Sequence, residues 1–183
     1  MADLGLPCVL TKIGYHGITV EMQGTPITVE LYPMAWKYKY AVVIHGTWES
    51  VCWFSINDDI EGMLRRLAGG DAFLRACAIL AGSFKNIKTQ RKYTELLVLP
   101  VLEGRKPSGR DVADALRSAK RSIMRMINEG NSTRALRKLY AIVESGKILA
   151  QHLADAEIVQ LVRELETLLS RMLCDAVEEA LSA

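Results

Sequence analysis

Apolar and polar positions alternate through the first third of the chain. The segments "CVLTKIG", "GITVEMQ", "PITVELY", "YKYAVVIHG" and "ESVCWFSI" are short and rich in Val, Ile, Thr and aromatic residues. Clusters of Gly, Pro and Thr separate them, which predicts five strands. Gln23-Gly24-Thr25-Pro26 and Gly46-Thr47 are the natural turns. Asn57-Asp58-Asp59 then supplies oxygens that accept from free amides of a first helical turn, ahead of "IEGMLRRLAGG". Gly69-Gly70 ends that helix. The next stretch, "DAFLRACAILAGSF", admits two readings. Its alanines and leucines favour a helix capped by Asp71, while its apolar run also fits a buried strand ending at Gly82. After it, "KNIKTQRKYTELLVLPV" reads as a basic loop feeding a strand from Tyr93 to Val101.

Beyond "GRKPSG" the period changes from two to about 3.6. Ser108 is placed to cap a helix over 109–128, where Val112, Leu116, Ala119, Ile123 and Met126 share a face. Gly130 stops it, and Asn131 or Ser132 starts a second helix carrying Leu136, Leu139, Tyr140 and Val143. A third helix, about 155–181, has Ile158, Leu161, Leu165, Leu168 and Met172 spaced by three and four, as in a bundle or coiled-coil seam. The pattern predicts an α+β protein. A β-rich domain over 1–104, an antiparallel meander or small barrel with a short helix, precedes a bundle of about three helices over 105–183. The seam serves an intrachain bundle or a homo-oligomer equally well.

The chain has 183 residues, half of them hydrophobic, enough for a real core. Its longest uncharged apolar run, Leu96 to Leu102, is far short of the roughly 20 residues of a membrane span. The start lacks a basic segment followed by an apolar one, so a cytoplasmic protein with no membrane partner is expected. Cys8, Cys52, Cys77 and Cys174 lie far apart among apolar neighbours and read as buried thiols. The net charge of +2 hides an asymmetry: residues 1–104 are neutral, 105–147 carry +7 and 148–183 carry −5. The basic middle fits a polyanion, or the acidic end of a neighbouring subunit.

Candidate chemistry concentrates in residues 35–54, which hold Trp36, Trp48 and Trp53 beside Lys37 and Lys39. A two-residue turn at Gly46-Thr47 would pair positions summing to 93. One face would then carry Tyr38, Tyr40, Val42, Ile44, Val51 and Trp53, and the other Lys37, Lys39, His45, Trp48, Cys52 and Phe54. A face mixing rings and lysines can follow a phosphate backbone while bases stack, each stack worth about 1–3 kcal/mol. The same rings also suit cross-strand core pairs. Lys85, Lys88, Arg91, Lys92 and Tyr93 form a second cluster without an acid among them, either a clamp on a strand or a solvated loop. Arg117, Lys120, Arg121 and Arg125 make a stripe on helix 109–128, continued by Arg134, Arg137 and Lys138. No HExxH, GxSxG, GxGxxG or GxxxxGK[ST] motif occurs, and His16, His45 and His152 are isolated. Asp58, Asp59 and Glu61 read as helix-end acids rather than metal ligands. Neither an enzyme, a cofactor nor a metal is expected.

Strands, a short helix at 58–68 and then "LRACAILAGSFKNIKTQRKYTELLVLPV" resemble the second half of an oligonucleotide-binding (OB) fold. Gly82 and the basic loop 83–92 occupy the places of that family's fourth-strand glycine and charged loop. The resemblance implies single strands bound across 37–45, 48–56 and loop 83–92, and it requires 71–81 to be a strand. The order of a β-rich head and a helical tail is also similar to non-OB single-stranded-DNA-binding proteins of thermophilic archaea. The expected function is non-catalytic binding of single-stranded DNA or RNA by a homo-oligomer. The alternative is an assembly or scaffold protein, a small subunit or coat-type protein, acting through its helical tail.

Overall fold

The structure, a computed structural model, describes residues 8–14, 17–22 and 25–31, through their backbone and the side chain of Ile27, and residues 40–182 in full. Five strands, β1 (Cys8–Gly14), β2 (Gly17–Met22), β3 (Thr25–Leu31), β4 (Tyr40–Ile44) and β5 (Ser50–Phe54), form an antiparallel sheet in the order of the chain. Helices follow: α1 (Ile60–Ala68), α2 (Ala72–Gly82), α3 (Ile87–Tyr93), a π-helical turn (Thr94–Val98), α4 (Leu99–Leu102), α5 (Gly109–Asn128), α6 (Ser132–Leu153) and α7 (Ala156–Ser182). The predicted caps are in place. The Asp59 carboxylate accepts from Gly62 N, that of Asp71 from Leu74 N, and the Ser108 hydroxyl from Asp111 N.

The expected fold class is overturned. Helices take up 73% of the chain from Tyr40 on, and strands there are confined to the β4–β5 hairpin. The sheet does not close into an OB-like barrel, because the segments assigned to its last two strands are helical. Residues 71–81, left open by the sequence, cap at Asp71 and run as α2. The stretch from Tyr93 to Val101, expected as a strand, continues the helical path. Tyr93, Thr94, Leu97, Val98 and Val101 are its buried positions, a spacing that alternates one and three, which one helix face satisfies and a strand does not. Pro100 lacks the N–H a regular turn would use and crowds the carbonyl four residues back. The wide π turn directly before α4 accommodates this.

The hairpin register also differs. Five residues, His45 to Glu49, separate β4 from β5, so Tyr40 pairs with Phe54 and Ala41 with Trp53. A slip of one residue exchanges the faces. Val42, Ile44, Cys52 and Phe54 therefore share the core face, and Trp53 lies on the other. β5 is an edge strand, and an uncovered edge invites pairing with another chain. Here α3 covers it. The Arg91 guanidinium donates to the Trp53 carbonyl at 2.7 Å, and the Trp53 indole donates to Gln90 Oε1 at 2.8 Å.

α2 lies across β5. The Ser50 hydroxyl donates to the Ile79 carbonyl at 2.8 Å and the Cys52 thiol to that of Ala78 at 3.4 Å. On its other side α2 packs against α6, which in turn packs against α5 and α7. One core therefore runs from Ile27 and the hairpin to Leu169, continuous across residue 104. Cys52 and Cys77 are buried in it, and burial pushes both thiols up to about 12, so they stay protonated. Cys174, expected to be buried, is exposed. The seam residues Ile158, Leu161 and Leu165 are buried within this one chain, with Leu168 and Met172 half-buried at its margin.

The α2–β5 contact leaves no room for a methyl group. A Cβ at Gly82 would stand 2.5 Å from the Val51 backbone nitrogen. Gly82→Ala is expected to lower stability by about 1–3 kcal/mol, the range of core overpacking. Urea unfolding followed by far-UV circular dichroism checks it.

Candidate nucleic-acid interface

The residues proposed from sequence divide into three groups. Lys37 and Lys39 lie outside the described residues. Trp53, Arg91 and Tyr93 are buried and bonded within the fold. Arg91 is 9% exposed and bonds Asp58 at 2.8 Å and Glu95 at 2.9 Å. The Tyr93 hydroxyl reaches Asp114 and Ser118, at 3.2 and 3.1 Å, and its ring stacks on Phe84. Lys85, Lys88 and Lys92 remain exposed, the last with its ammonium over the Tyr93 ring. The expected basic loop 83–92 is mostly α3, opened by Asn86, whose side chain accepts from Lys88 N and Thr89 N.

The basic stripe on α5 is half neutralised. Arg117 pairs with Glu157 and Lys120 with Glu164, both on α7. Lys120 holds the Glu164 carboxyl below its ordinary range, chiefly through their hydrogen bond. Arg121 bonds the Ser118 hydroxyl. The helix-end acids also have partners: Asp58 with Arg91, Asp59 with its cap amide, and Glu61 with Arg65.

A third group meets in one cleft of about 950 Å³ between the hairpin turn, the end of α2 and the α5–α6 pair. Trp48 forms one wall. Its indole N–H donates to the Ser83 carbonyl at 2.9 Å, pinning the turn to the C-terminus of α2. Across the ring, the Arg134 guanidinium lies 5.4 Å and the Lys138 ammonium 5.6 Å from its centroid. Lys85, Arg125 and Arg137 complete the basic lining, against two acids, Glu49 and Glu129. Sequence reasoning noted Arg134, Arg137 and Lys138 as a continuation of the α5 basic stripe onto the next helix, not as neighbours of Trp48. What it missed was that α6 crosses the hairpin turn. The cue in the sequence was a run of three cations within five positions with no acid among them.

Lys138 is the unusual member. Its side chain is 1% exposed, its ammonium donates to the Ser122 hydroxyl at 3.0 Å, and it sits 5.0 Å over the Phe84 ring. It forms no ion pair with a carboxylate among the described residues. Desolvation, aided by the neighbouring Arg134 charge, lowers its pKa from 10.5 to about 8.

No protein family, curated protein or solved structure matches this chain. The arrangement of these residues is therefore the ground for any functional reading. No helix among the described residues is long and apolar enough to cross a membrane.

The folded-state pKa of Lys138 lies below its unfolded value. Between about pH 8 and 10.5 the unfolded chain keeps a proton that the folded chain has released. Stability therefore rises with pH through that window, and the cost of burying the ammonium is fully present below it. Lys138→Met keeps the length of the side chain and removes the charge. It is expected to raise stability at pH 7 by about 1–3 kcal/mol and to remove the alkaline rise. Urea midpoints of both proteins across pH 7 to 10.5 check the difference.

Proposed function

We propose that this protein binds single-stranded nucleic acid without catalysis, in the cleft between the hairpin turn and α5–α6. The observation that carries the reading is the convergence there of Lys85, Arg125, Arg134, Arg137 and the buried Lys138 around Trp48. On α5, Arg117 and Lys120 have acidic partners from α7; Arg125, Arg134 and Arg137, which line the cleft, have none among the described residues. A phosphate backbone supplies the missing negative charge, and its counterions are released on binding. The Trp48 ring, already faced by two cations, serves as a wall that holds them and offers its edge to a base. Buried, unpaired charge is costly, and a fold that retains Lys138 beneath an open basic cleft supports an anionic ligand.

Arg134→Glu with Arg137→Glu is expected to weaken binding of an oligo-dT strand. The dependence of log affinity on log salt should become shallower by roughly 0.7 for each phosphate no longer neutralised. Titration of tryptophan emission at two salt concentrations reads both. Trp53→Phe, which removes a hydrogen bond beneath α3, should lower stability and leave the salt slope unchanged. Binding that ignores the paired arginine change would remove this cleft as the site.

A further inference from the structure

α7 is longer than the bundle it packs on. Its last buried side chain is Leu169, and every residue from 173 to 181 is exposed. At 1.5 Å per residue the end of the helix projects by roughly 15 Å. It is not a polar tail. Leu173, Val177 and Leu181 recur every fourth position and are 45%, 57% and 81% exposed. They form a stripe with Ala176 and Ala180 beside it, while Asp175 and Glu179 fall on the far side and Glu178 on its border. No cation follows Arg171.

A complementary surface lies on the outward face of α5. A shallow hollow of about 530 Å³ is lined by Lys120, Arg121, Met124, Arg125, Asn128 and Glu129. Met124 is 38% exposed at its centre. Lys120 is turned to Glu164, but neither Arg121 nor Arg125 meets a carboxylate among the described residues. The ion pairs Arg117–Glu157 and Lys120–Glu164 show that α5 and α7 run in the same direction. The hollow and the projecting end therefore lie at the same end of the molecule.

We infer that the projecting end of α7 docks in the α5 hollow of a second copy of this chain, in a reciprocal dimer. Apolar Leu173, Val177 and Leu181 would cover Met124, while Glu178 on the border meets Arg121. Because both elements lie at one end, a two-fold axis lets each copy give its helix and receive the other, and the assembly closes. Pairing the two projecting helices on each other is the competing arrangement. It would bring Glu178, on the border of each stripe, beside that of the other copy with no cation in residues 172–183 to offset the two.

The test is sedimentation of the full chain together with cross-linking. The wild type should be a dimer. Val177→Glu with Leu181→Glu, both at exposed positions, should give a folded monomer. Arg121→Glu should weaken the dimer by roughly tenfold or more through like charges across the interface, and adding Glu178→Arg should restore it. In a Cys8→Ser background, Met124→Cys should allow a disulfide between the introduced thiol and Cys174 of the other copy. A monomeric wild type overturns the inference. So does a dimer indifferent to Arg121→Glu, or one that oxidises only through Cys174 to Cys174, which marks helix-to-helix pairing.

Discussion

The approach of α2 to β5 sets the positions of everything around the cleft. The helix lies so near the strand that the glycine at its end faces backbone rather than side chain. That closeness brings the Ser83 carbonyl within reach of the Trp48 indole, and places Phe84 under Lys138 and against Tyr93. α6 packs on the opposite side of α2, so its first two turns arrive over the hairpin with Arg134 and Lys138 facing the same ring. A close backbone approach thus determines which charges share a pocket.

Charge is distributed by the same packing. α7 covers one flank of α5 and neutralises Arg117 and Lys120 with Glu157 and Glu164. These exposed pairs contribute little stability individually. Their larger effect is selective: they leave net positive charge at the C-terminal end of α5 and the start of α6, beyond the reach of those glutamates. The basic middle and acidic end of the sequence therefore meet within one molecule, but only in part.

Much of the local structure was legible in the sequence. The first five strand positions, the caps at Asp59, Asp71 and Ser108, the limits of α5 and α7 and the start of α6 follow from side-chain chemistry acting over a few residues. What failed depends on distant partners. "YTELLVLPV" is apolar enough for a strand or a buried helix, and only its packing against the core decides. The hairpin loop is five residues long rather than two, which moved Trp53 to the other face, and α3 then buried it. Arg91 looked like a ligand-binding cation because Asp58, its partner, is 33 positions away. The cleft itself joins residues 48, 85, 125, 134, 137 and 138, and no local pattern links them.

The burial of Lys138 couples the cleft to protons. An anion held beside this amine would favour its charged form, so a filled cleft would retain a proton that Lys138 otherwise releases near pH 8. Ligand and proton would then bind cooperatively, each raising the affinity for the other by the same factor. Occupancy would decline as the solution becomes alkaline even though every arginine in the cleft keeps its charge. The free-energy penalty of the buried ammonium would, through this linkage, be partly offset whenever an anion lies beside it.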